Sequence, residues 1–335
     1  MIQQPIFILG LHKSGTTLLR NLLDGHPDLG VIPFESHTFQ LLNYWVDLEY
    51  RRQRPNQTIT PSDLESDIND FIASINSNNN TYADAHIEGK IDEKRFEDSF
   101  SVPREGAKEP KKLIVNYFNA IYKSLYSSAP GESIRFVEKS VENAEFAAFI
   151  HKLFPEVKFI RIVRNPYSNI VSFRKFQINN HAFPLMHRLL ATMEKSYHQL
   201  YKNKLLFTPD TYKIIRYEDL VSKPKETMEQ IAQFLGISFE PSLLEPTVLG
   251  KPWKGNSMSN RKFEGISSSR LHQWKKEILP MEVYYINKLF PFMIKDFGYK
   301  YIKAYKKGAF LKPAPKENPA RYVVNRLYRI YLRHI

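Results

Sequence analysis

An α/β fold is what this sequence predicts: a P-loop-like three-layer arrangement with a central, mostly parallel sheet flanked by helices. Three observations carry it. Ile6 to Leu9 form an apolar run of strand length, pass into a turn bounded by Gly10 and Gly15, and open a helical pattern with Leu18, Leu19, Leu22 and Leu23 on one face. The same strand-then-helix unit recurs over residues 135–150, 157–172 and 213–235, and such alternation builds a parallel sheet. Finally, 42% hydrophobic and 25% charged residues over 335 positions suffice for a sizeable core.

The first unit is also the first candidate site. At a helix N-terminus the backbone N–H groups and the helix dipole favour an anion. Lys13 adds a point charge, and Ser14, Thr16 and Thr17 add hydroxyl donors around Gly15. The loop therefore reads as a phosphate grip; the alternative is an ordinary strand-to-helix turn with chance glycines and serines. A Walker A loop places Lys directly after its second glycine. Gly10 and Gly15 have that spacing, but Thr16 stands in the Lys position and Lys13 precedes the second glycine. This departure argues against an ordinary nucleoside triphosphatase.

Further along, residues 24–28 read as a turn and Leu29 to Ile32 as a second strand. Ligands of doubly wound sheets sit at the carboxyl ends of strands. Glu35, just past this strand, is thus a candidate functional carboxylate, or alternatively a cap for a helix over residues 36–48. Residues 50–131 read as a helical insertion, a place to build acceptor specificity. Within it Thr60-Pro61 starts a helix with Leu64, Ile68, Phe71, Ile72 and Ile75 on its apolar face, and a second helix covers 113–125. The strand at 135–138 runs into Lys139, either a site cation or a solvated side chain before the next helix. Val157 to Val163 alternates as a strand. Arg164 ends it, Pro166 suits a first helical turn, and Ser172 lies on that helix. Arg164 and Ser172 can share one phosphate, since the guanidinium fork matches its oxygens; a surface Arg paired with an acid is the alternative. A strand at 213–216 leads into Tyr217, Glu218 and Asp219. A magnesium-binding role for Asp219 lacks an intact partner loop. Residues 250–275 form a basic, Ser- and Gly-rich loop in which Trp253 and Phe263 could stack on a base, while Trp274 and a helix from Pro280 pack back on the core.

Composition narrows the classes. With no cysteine, disulfides, thiolate nucleophiles and Cys-based zinc sites are excluded. No apolar run approaches the length of a membrane span. The chain enters its first strand almost at once, so the expectation is a cytoplasmic protein without a signal peptide. The net charge of +13 is concentrated at the end: residues 300–335 hold ten Lys or Arg and one acid, Glu317. This suggests a domain over 1–300 and a basic extension over 301–335. The last sixteen residues form a basic amphipathic helix, with Val323, Val324, Leu327, Tyr328 and Tyr331 on one side. Such a helix suits a peripheral membrane surface, its own domain or a homodimer mate. One basic loop without a basic face elsewhere does not suggest nucleic acid as a partner.

Taken together these signals resemble the PAPS-dependent sulfotransferase family (PAPS is 3′-phosphoadenosine 5′-phosphosulfate), in the branch that includes tyrosylprotein sulfotransferases and bacterial relatives. The loop Lys13-Ser14-Gly15-Thr16-Thr17 resembles the family's 5′-phosphosulfate motif. Arg164 and Ser172, eight positions apart, resemble its 3′-phosphate motif. Tyr217 is similar to a Tyr that contacts the nucleotide, and Ser267 to Trp274, with Ser268, Ser269 and Arg270, resembles the late nucleotide-binding loop. In that loop His272-Gln273-Trp274 departs from the family's Ser-Lys-Trp. The resemblance implies Glu35 as base, Lys13 and Lys139 as catalytic cations, no metal, and His37 and His12 as second-choice bases. It implies in-line transfer of a sulfuryl group to a hydroxyl of a carbohydrate, lipid, tyrosine or small molecule. A P-loop-type nucleotide kinase and a non-enzymatic nucleotide or nucleic-acid binder stand as rivals.

Overall fold

The computed structural model describes residues 4–41, 60–77, 87, 89–126, 131, 134–180, 182–255, 265–269, 271–303, 314 and 316–334. Its centre is a five-stranded sheet built from β1 (Ile6–Gly10), β2 (Leu29–Val31), β3 (Arg135–Glu138), β4 (Lys158–Val163) and β5 (Tyr212–Arg216). The order across the sheet is β2-β3-β1-β4-β5, and every pairing is parallel. The predicted fold class therefore holds. Parallel strands are covered on both faces, which is why β1 and β3 are buried along their whole length.

Successive side chains of β1 face opposite layers. Ile6 and Ile8 join Leu19, Leu22 and Leu23 of α1 (Thr16–Leu23) and Met228 and Ile231 in one core cluster. Phe7 and Leu9 join Phe118, Phe159, Ala147 and Leu200 in the other. After β2 comes a short α2 (Thr38–Leu41); the rest of the helix expected over 36–48 lies outside the described residues. Next, α3 (Pro61–Ile75) starts at Thr60, where a capping box pairs the Thr60 and Asp63 side chains with each other's backbone N–H. Leu64, Ile68, Ile72 and Ile75 are its buried face, as expected, with Phe71 partly buried.

The inserted helices α4 (Glu93–Ser99) and α5 (Pro110–Tyr126) follow, and α5 lies directly on the sheet: its Phe118 meets Phe7 and Phe136. The second half of the sheet is wrapped by α6 (Asn143–Leu153), α7 (Pro166–Asn180), α8 (Met186–Leu206), α9 (Tyr217–Ser222) and α10 (Pro224–Leu235). The chain then forms α11 (Pro280–Leu289), α12 (Pro291–Asp296) and α13 (Pro319–His334). Among the described residues no helix is long and apolar enough to cross a membrane.

Within β4, Arg161 is almost fully buried and donates to the Ser196 carbonyl (3.0 Å) and hydroxyl (2.7 Å), because helices cover both faces of a parallel sheet. One expectation changes in the packed fold: Trp253 is a core residue, buried with the larger cluster, so it is not free to stack on a base. Phe263 lies outside the described residues.

Candidate active site

The carboxyl ends of β1 and β4 lie side by side, with Gly10 opposite Ile162. The chain leaves β1 toward β2 on one side and later crosses to β4 on the other. This is a topological switch point, where open sheets bind ligands. The β1 loop is tight. Lys13 has φ +63° and Gly15 φ +106°, and Ser14 N–H closes a turn on the Leu11 carbonyl at 3.1 Å. A side chain at Gly10 would lie 2.3 Å from Thr16 Cγ2, and one at Gly15 would lie 2.4 Å from the Tyr217 ring. Glycine is required at both positions by space, and at Gly15 also by conformation. Gly15 caps α1 without a side-chain hydrogen bond, so the first amides of the helix have no side-chain acceptor at their cap. Among the described residues the buried Ser14 hydroxyl also finds no partner. Uncapped amides and an orphaned hydroxyl at a helix N-terminus suit a phosphate or sulfate group.

Arg164 reaches this loop from the end of β4. Its NH1 donates to the Lys13 carbonyl at 2.8 Å, and its guanidinium lies 4.5 Å from the centre of the Tyr217 ring. Tyr217, the first residue of α9, also packs against Gly15. Residues 151 positions apart in sequence thus share one site, and the reading of Arg164 as a surface ion pair gives way. Its Nε is buried and finds no partner among the described residues, so the fork keeps a donor in reserve. Ser172 lies on α7, which begins two residues after Arg164, and is partly buried. The same helix supplies Asn169, which donates to the His12 carbonyl at 2.8 Å and fixes the loop from below.

A second cluster flanks the loop. β2 and β3 run in register, with Val31 opposite Val137, so the segments leaving them converge. The Lys139 ammonium donates to the Glu35 carboxylate, and both groups are largely buried. Glu35 is therefore not a helix cap, and Lys139 is not a solvated side chain. Burial alone would push the Glu35 carboxyl up, but Lys139, His37 and His12 together hold it down to about 2. His37 Nε2 lies 3.9 Å from Glu35, while its Nδ1 lies 2.7 Å from Glu142 Oε1. Burial would lower the His37 pKa, but Glu142, Glu35 and Glu138 raise it, so this imidazole favours its cationic form. Burial lowers the pKa of His12, favouring its neutral form. Lys13, with its ammonium 4.2 Å from the centre of the Phe176 ring, is brought down to about 8 by burial and then by Lys139.

Sequence reasoning missed the group that holds this cluster in place. Glu138 is buried at the end of β3 and accepts from the Ser36 hydroxyl (2.8 Å), the Ser36 amide (3.3 Å), Ser140 and Asn143. It ties the segment carrying Glu35 and His37 to the segment carrying Lys139 and Glu142. A carboxylate inside an otherwise apolar strand was the available signal. The late loop is less engaged. Ser268 and Ser269 are exposed, and Ser269 bonds back to Ser267, while Ile266 packs on the same core cluster as Tyr217. Arg270 lies outside the described residues. Trp274 stacks on Tyr167 with ring centres 5.8 Å apart.

The sulfotransferase family model matches residues 5–241, which span the sheet and every strand end just described. The chain belongs to the sulfotransferase family. Among similar proteins are protein-tyrosine sulfotransferase 2 of Gallus gallus, 23% identical over 74% of this chain and 55% of its own length, and the omega-hydroxy-beta-dihydromenaquinone-9 sulfotransferase Stf3 of Mycobacterium tuberculosis, 23% identical over 70% and 63%. The chain thus spans between about half and two thirds of the length of these sulfotransferases. In fold it is similar to the sulfotransferase domain from the curacin biosynthetic pathway, with a TM-score of 0.52 and 24% identity over 90% of this chain and 99% of that one. The parallel sheet and its flanking helices are therefore a sulfotransferase fold.

Proposed function

We propose that this chain transfers a sulfuryl group from PAPS to an acceptor hydroxyl. The observation that carries the reading is the junction of Arg164, Lys13 and Tyr217, which sets a second cationic donor beside the β1 loop. Membership of the sulfotransferase family supports it. Lys13, Ser14, Gly15, Thr16 and Thr17 would hold the 5′-phosphosulfate on the α1 N-terminus. Arg164 and Ser172 would hold the 3′-phosphate, with Tyr217 against the nucleotide and Ser268 and Ser269 of the late loop contacting it. PAPS supplies an activated sulfuryl group and, in leaving, 3′,5′-ADP.

Glu35 is the proposed base. A carboxylate held to about 2 is a weak proton acceptor while Lys139 grips it. In this reading Lys139 turns to the negative charge that develops at the reacting centre. Glu35 then regains basicity at the moment the acceptor hydroxyl must lose its proton, and His37, held by Glu142, keeps the carboxylate in place. Lys13 and Lys139 together offset the developing charge; one such donor is typically worth about 3 kcal/mol. The acceptor is a carbohydrate, lipid, tyrosine or small molecule bearing a hydroxyl.

Titration calorimetry tests the nucleotide site. The chain should bind 3′,5′-ADP far more tightly than ADP, and Arg164→Ala should remove most of that preference. Equal affinity for the two ligands sinks the assignment of a 3′-phosphate site. Mass gain of sulfate in a PAPS-dependent acceptor screen then reads the reaction itself.

A further inference from the structure

A helix on the surface of a globular protein normally turns its apolar stripe inward. The C-terminal helix α13 does so only in part: Leu332 and Tyr328 pack on the core, but most of its apolar side chains face outward. Its docked face is polar at the centre: Asn325 is fully buried, accepts from the Met186 amide (2.8 Å) and donates to the Pro184 carbonyl (3.1 Å) and to Glu317 (2.7 Å). Arg321 donates to the Phe183 carbonyl, and Arg329 and Leu332 are buried beside Asn325. These contacts fix the orientation of the helix. Its outward face carries Val323, Val324, Leu327, Ile330 and Tyr331, with Leu327 60% exposed.

The charge around this stripe says what covers it. From Pro319 to His334 the helix has no acidic residue, and Arg326 and Arg333 are exposed along one edge of the stripe. The one acid of residues 300–335, Glu317, is turned inward to the Ala314 amide (2.8 Å) and Asn325. Among the described residues Arg326 and Arg333 form no ion pair, and a second copy of the helix, having no acid of its own, would bring them none. A surface that offers acyl chains to the apolar stripe and phosphates to the arginines fits both features.

We propose that the outward face of α13 binds the surface of an anionic lipid bilayer, lying in its plane. The apolar residues enter the boundary between headgroups and acyl chains, a burial of about 5–10 Å for helices of this kind. Arg326 and Arg333 meet lipid phosphates. The chain is held at the membrane surface without crossing it. The proposal stands apart from the nucleotide site, because it requires neither PAPS nor turnover.

Co-sedimentation of the full chain with phosphatidylcholine vesicles, with and without phosphatidylglycerol, tests it. The chain should pellet with the anionic vesicles and be released by high salt. Leu327→Asp should abolish pelleting. Arg326→Ala and Arg333→Ala should each weaken it roughly five-fold, the loss expected for one basic residue at such a surface. Val323→Ser combined with Ile330→Ser is the second variant should Leu327→Asp fail to fold, as read by its unfolding curve. Failure of the wild type to bind anionic vesicles overturns the proposal, as does unchanged binding by the apolar-stripe variants. A stable dimer in sedimentation velocity that Leu327→Asp converts to monomer also overturns it, because a second copy would then cover the face.

Discussion

Glu35 and Lys13 are the residues on which the proposed chemistry turns, and both have ionisation set by neighbours from distant parts of the chain. Replacing Glu35 by Gln keeps the shape and removes the proton acceptor. The variant should retain 3′,5′-ADP affinity while losing roughly 10²–10⁴-fold in kcat, the usual worth of a positioned base; full turnover would exclude Glu35 from that role. Lys13 makes a pH prediction with two opposite signs. Its ammonium titrates near 8 in the folded chain against 10.5 unperturbed, chiefly because burial disfavours the charge and Lys139 adds to the effect. If Lys13 acts as a cation, kcat/KM should fall as pH rises through about 8, and the alkaline limb should vanish in a Lys13→Met variant. Between about 8 and 10.5 the unfolded chain holds the extra proton, so this group makes stability rise with pH over the same window. Activity and unfolding free energy, measured together, should therefore diverge.

At the scale of elements, the site is an assembly of strand ends. Each strand of the central sheet was legible in the sequence, and so were the turn at Gly10–Gly15 and the start of α3 at Thr60; the short antiparallel pair of Thr247–Val248 with Lys251–Pro252, where a loop was expected from residue 250, was not. Two further features of particular elements were not legible. The burial of Arg161 within β4 could not be read from the strand's alternation, because the helices packed on the sheet decide what is covered. Glu138 sat unnoticed in β3, because its partners Ser36 and Asn143 come from two other segments. The β1 loop offers a test of how closely the elements are fitted. Gly15→Ala would force a methyl into the Tyr217 ring at a φ of +106°. It should lower the unfolding free energy by about 1–3 kcal/mol, as strained residues do, and weaken 3′,5′-ADP binding by moving Tyr217 and, with it, Arg164. Chemical denaturation alongside calorimetry reads both effects, and an unperturbed variant would mean that the loop and α9 are not coupled as described.

Over the whole molecule, the sheet order brings the two phosphate-binding candidates together at the β1–β4 junction, and β2 and β3 deliver Glu35 and Lys139 next to it. The C-terminal segment extends the same body: α13 is fastened to the start of α8 through Asn325. Asn325→Ala leaves the Met186 amide without its acceptor and the Pro184 carbonyl without its donor. It should cost about 1–3 kcal/mol, the usual penalty for buried polar groups left unpaired. Hydrogen exchange should show the loss concentrated in α13 and the start of α8; a uniform change across the sheet would contradict the local docking. Nucleotide affinity should be unaffected, since the strand ends are not part of that contact.

The sequence by itself determined the class of fold, the tight β1 loop with its displaced Lys13 as a candidate anion site, and the Arg164–Ser172 spacing. These signals are local: a strand, a turn and the next helix are contiguous, and their chemistry depends on short-range periodicity and on glycine. Tertiary structure alone decided which charges meet. The pairing of Lys139 with Glu35, the reach of Arg164 to the Lys13 carbonyl, and the brace of Glu138 all join segments far apart in the chain. It also decided that α13 docks through Asn325, Arg329, Tyr328 and Leu332 and leaves Val323, Leu327 and Ile330 outward. A helical pattern states which residues share a face, but not which face the rest of the protein will cover. That depends on the partners it finds, and here Asn325 at the centre of the docked face, with Arg321 and Leu332 beside it, found them.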